Sequence, residues 1–175
     1  FSASHIANLN AKHLEQNFKK TLKFKPHLIC TPECSNIITN DKNFLLLNAP
    51  YQNTCPVLKM AKNFAKKNKV NINLGSLLLK VKKQRKLVNR SFFIDNHGVI
   101  KKTYDKIHMF DVKINNKEKH QESSLFKAGK KIIYAKINNI KLGLTICYDL
   151  RFPNLYRQLA KRDCSIILVP AAFTR

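Results

Sequence analysis

The stretch that most restricts the fold is GLTICYDLRFPNLYRQLAKRDCSIILVP, Gly143 to Pro170. An apolar, β-branched run ends at Cys147 and gives way at once to Tyr148, Asp149 and Arg151. A helical segment follows from about Phe152-Pro153 to Arg162, and SIILVP returns as a second buried run. Proline is tolerated in the first turn of a helix because its missing N–H has no partner to lose there. The order therefore reads strand, sharp turn, helix, strand.

The same alternation runs upstream. Leu9, Leu14, Phe18 and Leu22, the last three at i+4 spacing, predict an amphipathic helix over 9–24. Pro26 punctuates it, and HLIC (27–30) reads as a short buried strand. Thr54 can cap a second helix reaching about residue 68, with Leu58, Ala61, Phe64 and Ala65 on one face. Strands are expected at about 70–80 and 87–94. The turn signal Asp95-Asn96-His97-Gly98 returns the chain as a partner strand over 99–104. Residues 105–129 show neither period and predict a long irregular loop, which in a compact domain is often functional. Strands at about 131–137 and 140–147 meet at Asn138-Asn139. Helices alternating with strands and hairpins place the chain in the α/β class with a mixed sheet.

Composition bounds what such a domain does. At 175 residues the chain is the size of one domain with a real core. No run of eighteen apolar residues is present, so no membrane span is expected, and no secretory leader is visible. Five cysteines, odd in number and irregularly spaced, argue for reduced thiols and a cytoplasmic location rather than a disulfide framework. Cys30 and Cys34 are followed by no second ligand pair, so no structural zinc is expected. Lysine and arginine number 33 against ten acids, a formal charge of +23. That charge attracts nucleic acid by electrostatics alone. The basic residues are nevertheless spread through every segment. Their one dense cluster, Lys80, Lys82, Lys83, Arg85 and Lys86, falls between two strands at an expected hairpin tip. A bias toward Lys, Asn and Ile accounts for this better than a nucleic-acid function without a supporting motif. A basic nucleic-acid-binding module stands as the alternative function.

Three segments carry a reactive side chain out of a buried strand: Cys147, Glu33 directly after HLIC-Thr31-Pro32, and YDKIHMFD with Lys106 and His108. Strand ends are where α/β sheets bind ligands. Glu33 is one of only four glutamates and sits among isoleucines and cysteines, where burial suits a carboxylate to take a proton. Singly, each residue has a structural reading: a carboxylate holding a helix end, one lysine of many, an inert buried thiol. Together they suit nucleophilic chemistry, with a cation lowering the thiol pKa and stabilising an oxyanion, and a carboxylate relaying the proton. His108 as partner of Cys147 is a minor alternative.

Four blocks then resemble one family in its own order: HLICTPECSN, YDKIHMFDV, ESSLFKAG, and GLTICYDLRFPNLYRQLA followed by ILVPAAFT. The chain resembles the carbon–nitrogen hydrolases of the nitrilase superfamily, most closely the Nit-type amidases that include omega-amidases and deaminated-glutathione amidases. The resemblance implies a four-layer α-β-β-α sandwich and a cytoplasmic, dimeric enzyme without metal or organic cofactor. It implies Glu33 as base, Lys106 as oxyanion stabiliser, Cys147 as nucleophile and Glu122 orienting Lys106. The Tyr148 N–H would complete the oxyanion hole, and the substrate would be a small amide bearing a carboxylate. Phe173 and Thr174 resemble pocket-lining positions. Asp149 and Arg151 are expected to pin the turn after the nucleophile, with Arg151 also a candidate for a substrate carboxylate. Against the family pattern, residues 1–175 read as one domain without its first strand and C-terminal part, so an inactive truncated remnant is a further reading.

Overall fold

The computed structural model describes residues 3–113 and 119–172. Helix α1 spans Ala7–Thr21 and buries Asn10, Ala11, Leu14 and Phe18. The i+4 spacing of Leu14 and Phe18 is thus realised, but Leu9 stays 37% exposed. The buried Asn10 takes the inward place instead, because its amide donates to the carbonyls of Ser4 and Asn36. Strand β1 (Leu28–Cys30) follows. A short helix α2 (Lys42–Asn48), unforeseen in the sequence, is capped by Asp41, whose side chain accepts from the Phe44 N–H. Helix α3 (Pro56–Asn68) buries the expected Leu58, Ala61, Phe64 and Ala65. Its cap is Cys55 rather than Thr54, with Pro56 opening the first turn.

Strands β2 (Asn71–Lys80), β3 (Leu87–Ile94) and β4 (Ile100–Asp105) form a continuous meander. β1 joins β2 in parallel, giving the sheet order β1-β2-β3-β4. The stretch expected to be an irregular loop contains a small hairpin, β5 (Asp111–Lys113) with β6 (Lys119–Gln121). Each strand is only three residues long, too short for a periodicity to register. The second main sheet holds β7 (Tyr134–Ile137), β8 (Ile140–Leu144) and β9 (Ile166–Leu168), with β8 central. β7 and β8 are antiparallel, whereas β8 and β9 are parallel and linked through helix α4 (Pro153–Ala160). β9 is less buried than its apolar composition suggests, with Ile166 46% exposed.

The layers follow from which faces are apolar. α1 and α3 pack on one face of the four-stranded sheet, joined in one core by Phe18, Leu58, Phe64, Leu74, Leu79 and Phe92. The other face of that sheet presents Phe93 and Tyr104 to Ala135, Leu142, Leu144 and Ile146 of the second sheet. α4 covers the far side of the second sheet, so close that a Cβ on Gly143 would lie 2.9 Å from the Leu159 side chain. The arrangement is the expected α-β-β-α sandwich. Among the described residues, no helix is long and apolar enough to cross a membrane.

Candidate active site

The predicted reactive residues converge at one end of the two facing sheets. Glu33 stands in the turn after β1, and Asn36 holds that turn to β2 through both ends of its amide: it donates to the Leu78 carbonyl and accepts from the Leu78 N–H. Gly75 lets the segments close up, since a Cβ there would lie 2.0 Å from the Thr31 carbonyl oxygen and 2.5 Å from Pro170. β2 shifts register between Leu74 and Leu77, at the same place. Lys106 leaves the end of β4 with its N–H donating to the Asn89 carbonyl and its own carbonyl accepting from Gly129. Cys147 leaves β8 with its N–H bonded to the Pro170 carbonyl at 2.9 Å. Its φ of 47° belongs to the left-handed region, which side chains other than glycine enter at a cost of about 1–3 kcal/mol. The sharp turn is itself a 3-10 segment, Cys147–Arg151, and α4 begins only at Pro153.

Lys106 is the hub. Its ammonium lies 3.2 Å from Glu33 Oε1, and 3.1 and 2.9 Å from the two oxygens of Glu122. Lys106 is 3% exposed and Glu33 7%, so neither charge has water to fall back on and each depends on the other. Glu122 is fixed in turn by the Phe110 N–H at 2.7 Å. Burial works against the Lys106 ammonium, but Glu33 and Glu122 outweigh it and hold its pKa above the ordinary lysine range. Glu33 Oε1 also accepts from Asn89 Nδ2 at 2.9 Å, and Oε2 from the Ala172 N–H at 3.0 Å. Glu33 and the same Ala172 N–H both act on the Cys147 thiol, the carboxylate raising its pKa and the N–H lowering it.

One electrostatic expectation is reversed. Burial, followed by the Glu33 carboxylate, pushes the Cys147 thiol up to about 11, and Lys106 does not make up the difference. The cation does lower the thiol pKa, but by less than burial and the adjacent carboxylate raise it. Cys34, directly after Glu33, is pushed well above the usual thiol range by burial and the same carboxylates.

Asp149 is fully buried and joins the two sheets to the turn. Its carboxylate accepts from Tyr104 Oη at 2.7 Å, from the Ile146 N–H at 2.9 Å and from the His108 N–H at 3.0 Å. His108 Nδ1 lies 2.7 Å from it. The pinning role expected of Asp149 is therefore met, and His108 is engaged with Asp149 rather than with Cys147. His108 also stacks on Phe152, with centroids 3.7 Å apart, and Tyr148 sets its ring edge-on to Phe110 and Phe152. Arg151 does not share the pinning role: its side chain is exposed and forms no hydrogen bond or ion pair with the described residues. Phe173 and Thr174 lie outside the described residues. Asn36, Asn89 and the Ala172 N–H escape a reading of the sequence. An asparagine inside the β-branched strand LVNRSFFI is the signal that could have exposed Asn89.

A buried Glu-Lys pair with a half-buried Cys at the strand ends of an α-β-β-α sandwich, and a second glutamate on the lysine, defines a class, and the family model described as carbon-nitrogen hydrolase matches residues 7–175. The chain belongs to the carbon–nitrogen hydrolase family, within the nitrilase superfamily that its motifs resemble. It is 35% identical over 172 residues to a deaminated glutathione amidase of Dictyostelium discoideum, covering 95% of this chain and 59% of that protein. A Yersinia enterocolitica protein of the same name is 34% identical over 168 residues, covering 95% and 58%. Among solved structures, the Caenorhabditis elegans NitFhit protein superposes with a TM-score of 0.90 at 29% identity, covering 99% of this chain and 42% of that one. The chain thus spans well under two thirds of the length of these relatives.

Proposed function

We propose that the chain carries the catalytic set of a thiol amidase, hydrolysing a small carboxylate-bearing amide to an acid and ammonia or an amine. The single observation behind this reading is the gathering of Glu33, Lys106, Glu122 and Cys147 around one point, each just beyond the end of a strand. Cys147 is protonated at neutral pH, its thiol being pushed up to about 11, so the nucleophile has to be generated in place. Glu33 takes the proton as sulfur attacks the amide carbonyl. Negative charge then grows on the carbonyl oxygen, where the Lys106 ammonium and the Tyr148 N–H serve as donors. Collapse releases the amine, to which Glu33 returns the proton, and leaves a thioester. Glu33 next draws a proton from water as it attacks the thioester, and passes that proton to the departing sulfur, freeing the acid and restoring the thiol and the base. Glu122 keeps Lys106 charged and aimed. Arg151, free of protein partners among the described residues, is available to a substrate carboxylate, with Phe173 and Thr174 as further lining positions.

The relatives named deaminated glutathione amidase support a substrate in which the amide lies close to a carboxylate. The deciding assay is ammonia release from α-ketoglutaramate together with hydrolysis of deaminated glutathione. Hydrolysis of at least one is expected, with loss of more than about a thousandfold in Cys147→Ala. Turnover surviving that substitution would sink the mechanism.

A further inference from the structure

One buried polar group beside the base has no part in the chemistry above. Asn89 lies on β3 and is 2% exposed. Its Nδ2 donates to Glu33 Oε1 at 2.9 Å, while its Oδ1 is the one buried side-chain polar atom without a hydrogen-bond partner among the described residues. Leaving such an acceptor unpaired costs about 1–3 kcal/mol, and a native structure holds few of them. Turned over, the amide would set Oδ1 against a carboxylate oxygen, acceptor against acceptor. The bond to Glu33 therefore dictates how this side chain stands, and the unpaired oxygen is the consequence.

The two oxygens of Glu33 are unequally occupied. Oε1 accepts from both Asn89 Nδ2 and the Lys106 ammonium. Among the described residues Oε2 accepts from the Ala172 N–H alone, so it is the oxygen with room for a further partner, and Glu33 and that N–H both act on the Cys147 thiol. We propose that Asn89 is a positioning residue for the base: together with Lys106 it fills Oε1, stops the carboxylate rolling, and leaves Oε2 to take the proton of Cys147. In that step the S–H bond breaks, an O–H bond forms at Oε2, and the electron pair left on sulfur makes the new C–S bond. An uncharged donor suits the task. A second cation at Oε1 would hold the carboxylate ionised too firmly to accept a proton, and an apolar side chain would leave it free to turn.

This rests on the reading of Glu33 as base, so the test uses a readout that needs no turnover. Alkylation of Cys147 by iodoacetamide, followed at that residue by mass spectrometry, is expected to rise with pH in two steps. The first follows ionisation of the base in the coupled Glu33–Cys147 pair, and the second follows the thiol itself. Asn89→Leu removes the donor at similar volume and disfavours the charged base, so its first step moves to higher pH by about one unit or more. Asn73→Leu is the matched control: Asn73 is 1% exposed on the neighbouring strand and its side chain bonds Ser91, not Glu33. It is expected to leave the profile in place. If Asn89→Leu does not fold, Asn89→Ser carries the same expected shift. A folded Asn89 variant with the wild-type profile, an equal shift in Asn73→Leu, or failure of both Asn89 variants to fold overturns the proposal. So does a wild-type profile identical to that of Glu33→Gln. A wild type with the expected profiles but no amide hydrolysis would count against the amidase reading alone and leave Asn89 standing.

Discussion

Lys106 carries more of the site than its single charge suggests. It separates two carboxylates that would otherwise repel each other in a buried setting, 3.2 and 2.9 Å from its ammonium. Removing one member of a buried ion pair is far more damaging than never having had it, because the partner's charge is left without water or a counter-ion. Lys106→Leu is therefore expected to lower stability by about 3–5 kcal/mol at pH 7.5. The sign of the pH dependence follows. With the ammonium gone, Glu33 and Glu122 gain by protonating on folding, so the folded variant binds more protons than the unfolded chain, and its stability rises as pH falls. Urea denaturation at pH 5.5 and 7.5 should show the gap to wild type narrowing at the lower pH. A gap that widens or stays constant would mean that Lys106 acts by packing and not by charge.

Among the elements, the junction at Asp149 matters most, because the proposed catalytic groups come from different sheets. Lys106 follows β4 of the first sheet and Cys147 follows β8 of the second, and Asp149 bonds Tyr104 of β4, His108 beyond Lys106, and Ile146 just before the thiol. Asp149→Ala strands the buried Tyr104 hydroxyl and Ile146 N–H together with the half-buried His108 N–H, and a loss of at least about 2 kcal/mol in urea denaturation is expected at about 1–3 kcal/mol for each buried group. Asp163→Ala, whose partner Lys141 meets an 85% exposed side chain, should be indistinguishable from wild type. The helices and long strands were legible in the sequence because their apolar faces repeat over eight or more residues. The GLTICYDLRFP turn was legible because a β-branched run stops abruptly at charge and proline. α2 was not, since FLLL within KNFLLLN is too short and too evenly apolar to show a face. The rise in thiol acidity expected of Cys147 failed for a related reason: burial and the Glu33 carboxylate outweigh the cation, and order along the chain contains neither burial nor distance. Asn89 shows the same limit, being one asparagine among many until the fold sets it against Glu33.

At the scale of the whole molecule, the charge of +23 is distributed rather than patterned, and the site itself consumes little of it. Attraction to nucleic acid from such a surface is expected to be counter-ion release without readout. Binding to duplex DNA near 50 mM salt should fall by about a thousandfold or more by 200 mM, with no preference among sequences, in filter-binding or anisotropy titrations. Persistent, sequence-selective binding at 200 mM would point to a second function. The strained nucleophile has a consequence for lineages as well as for chemistry. At a φ of 47° the backbone of residue 147 favours glycine, so every generation of copying errors offers replacements that the fold would welcome and the reaction would not. Selection for folding alone would let glycine take the place of the thiol there.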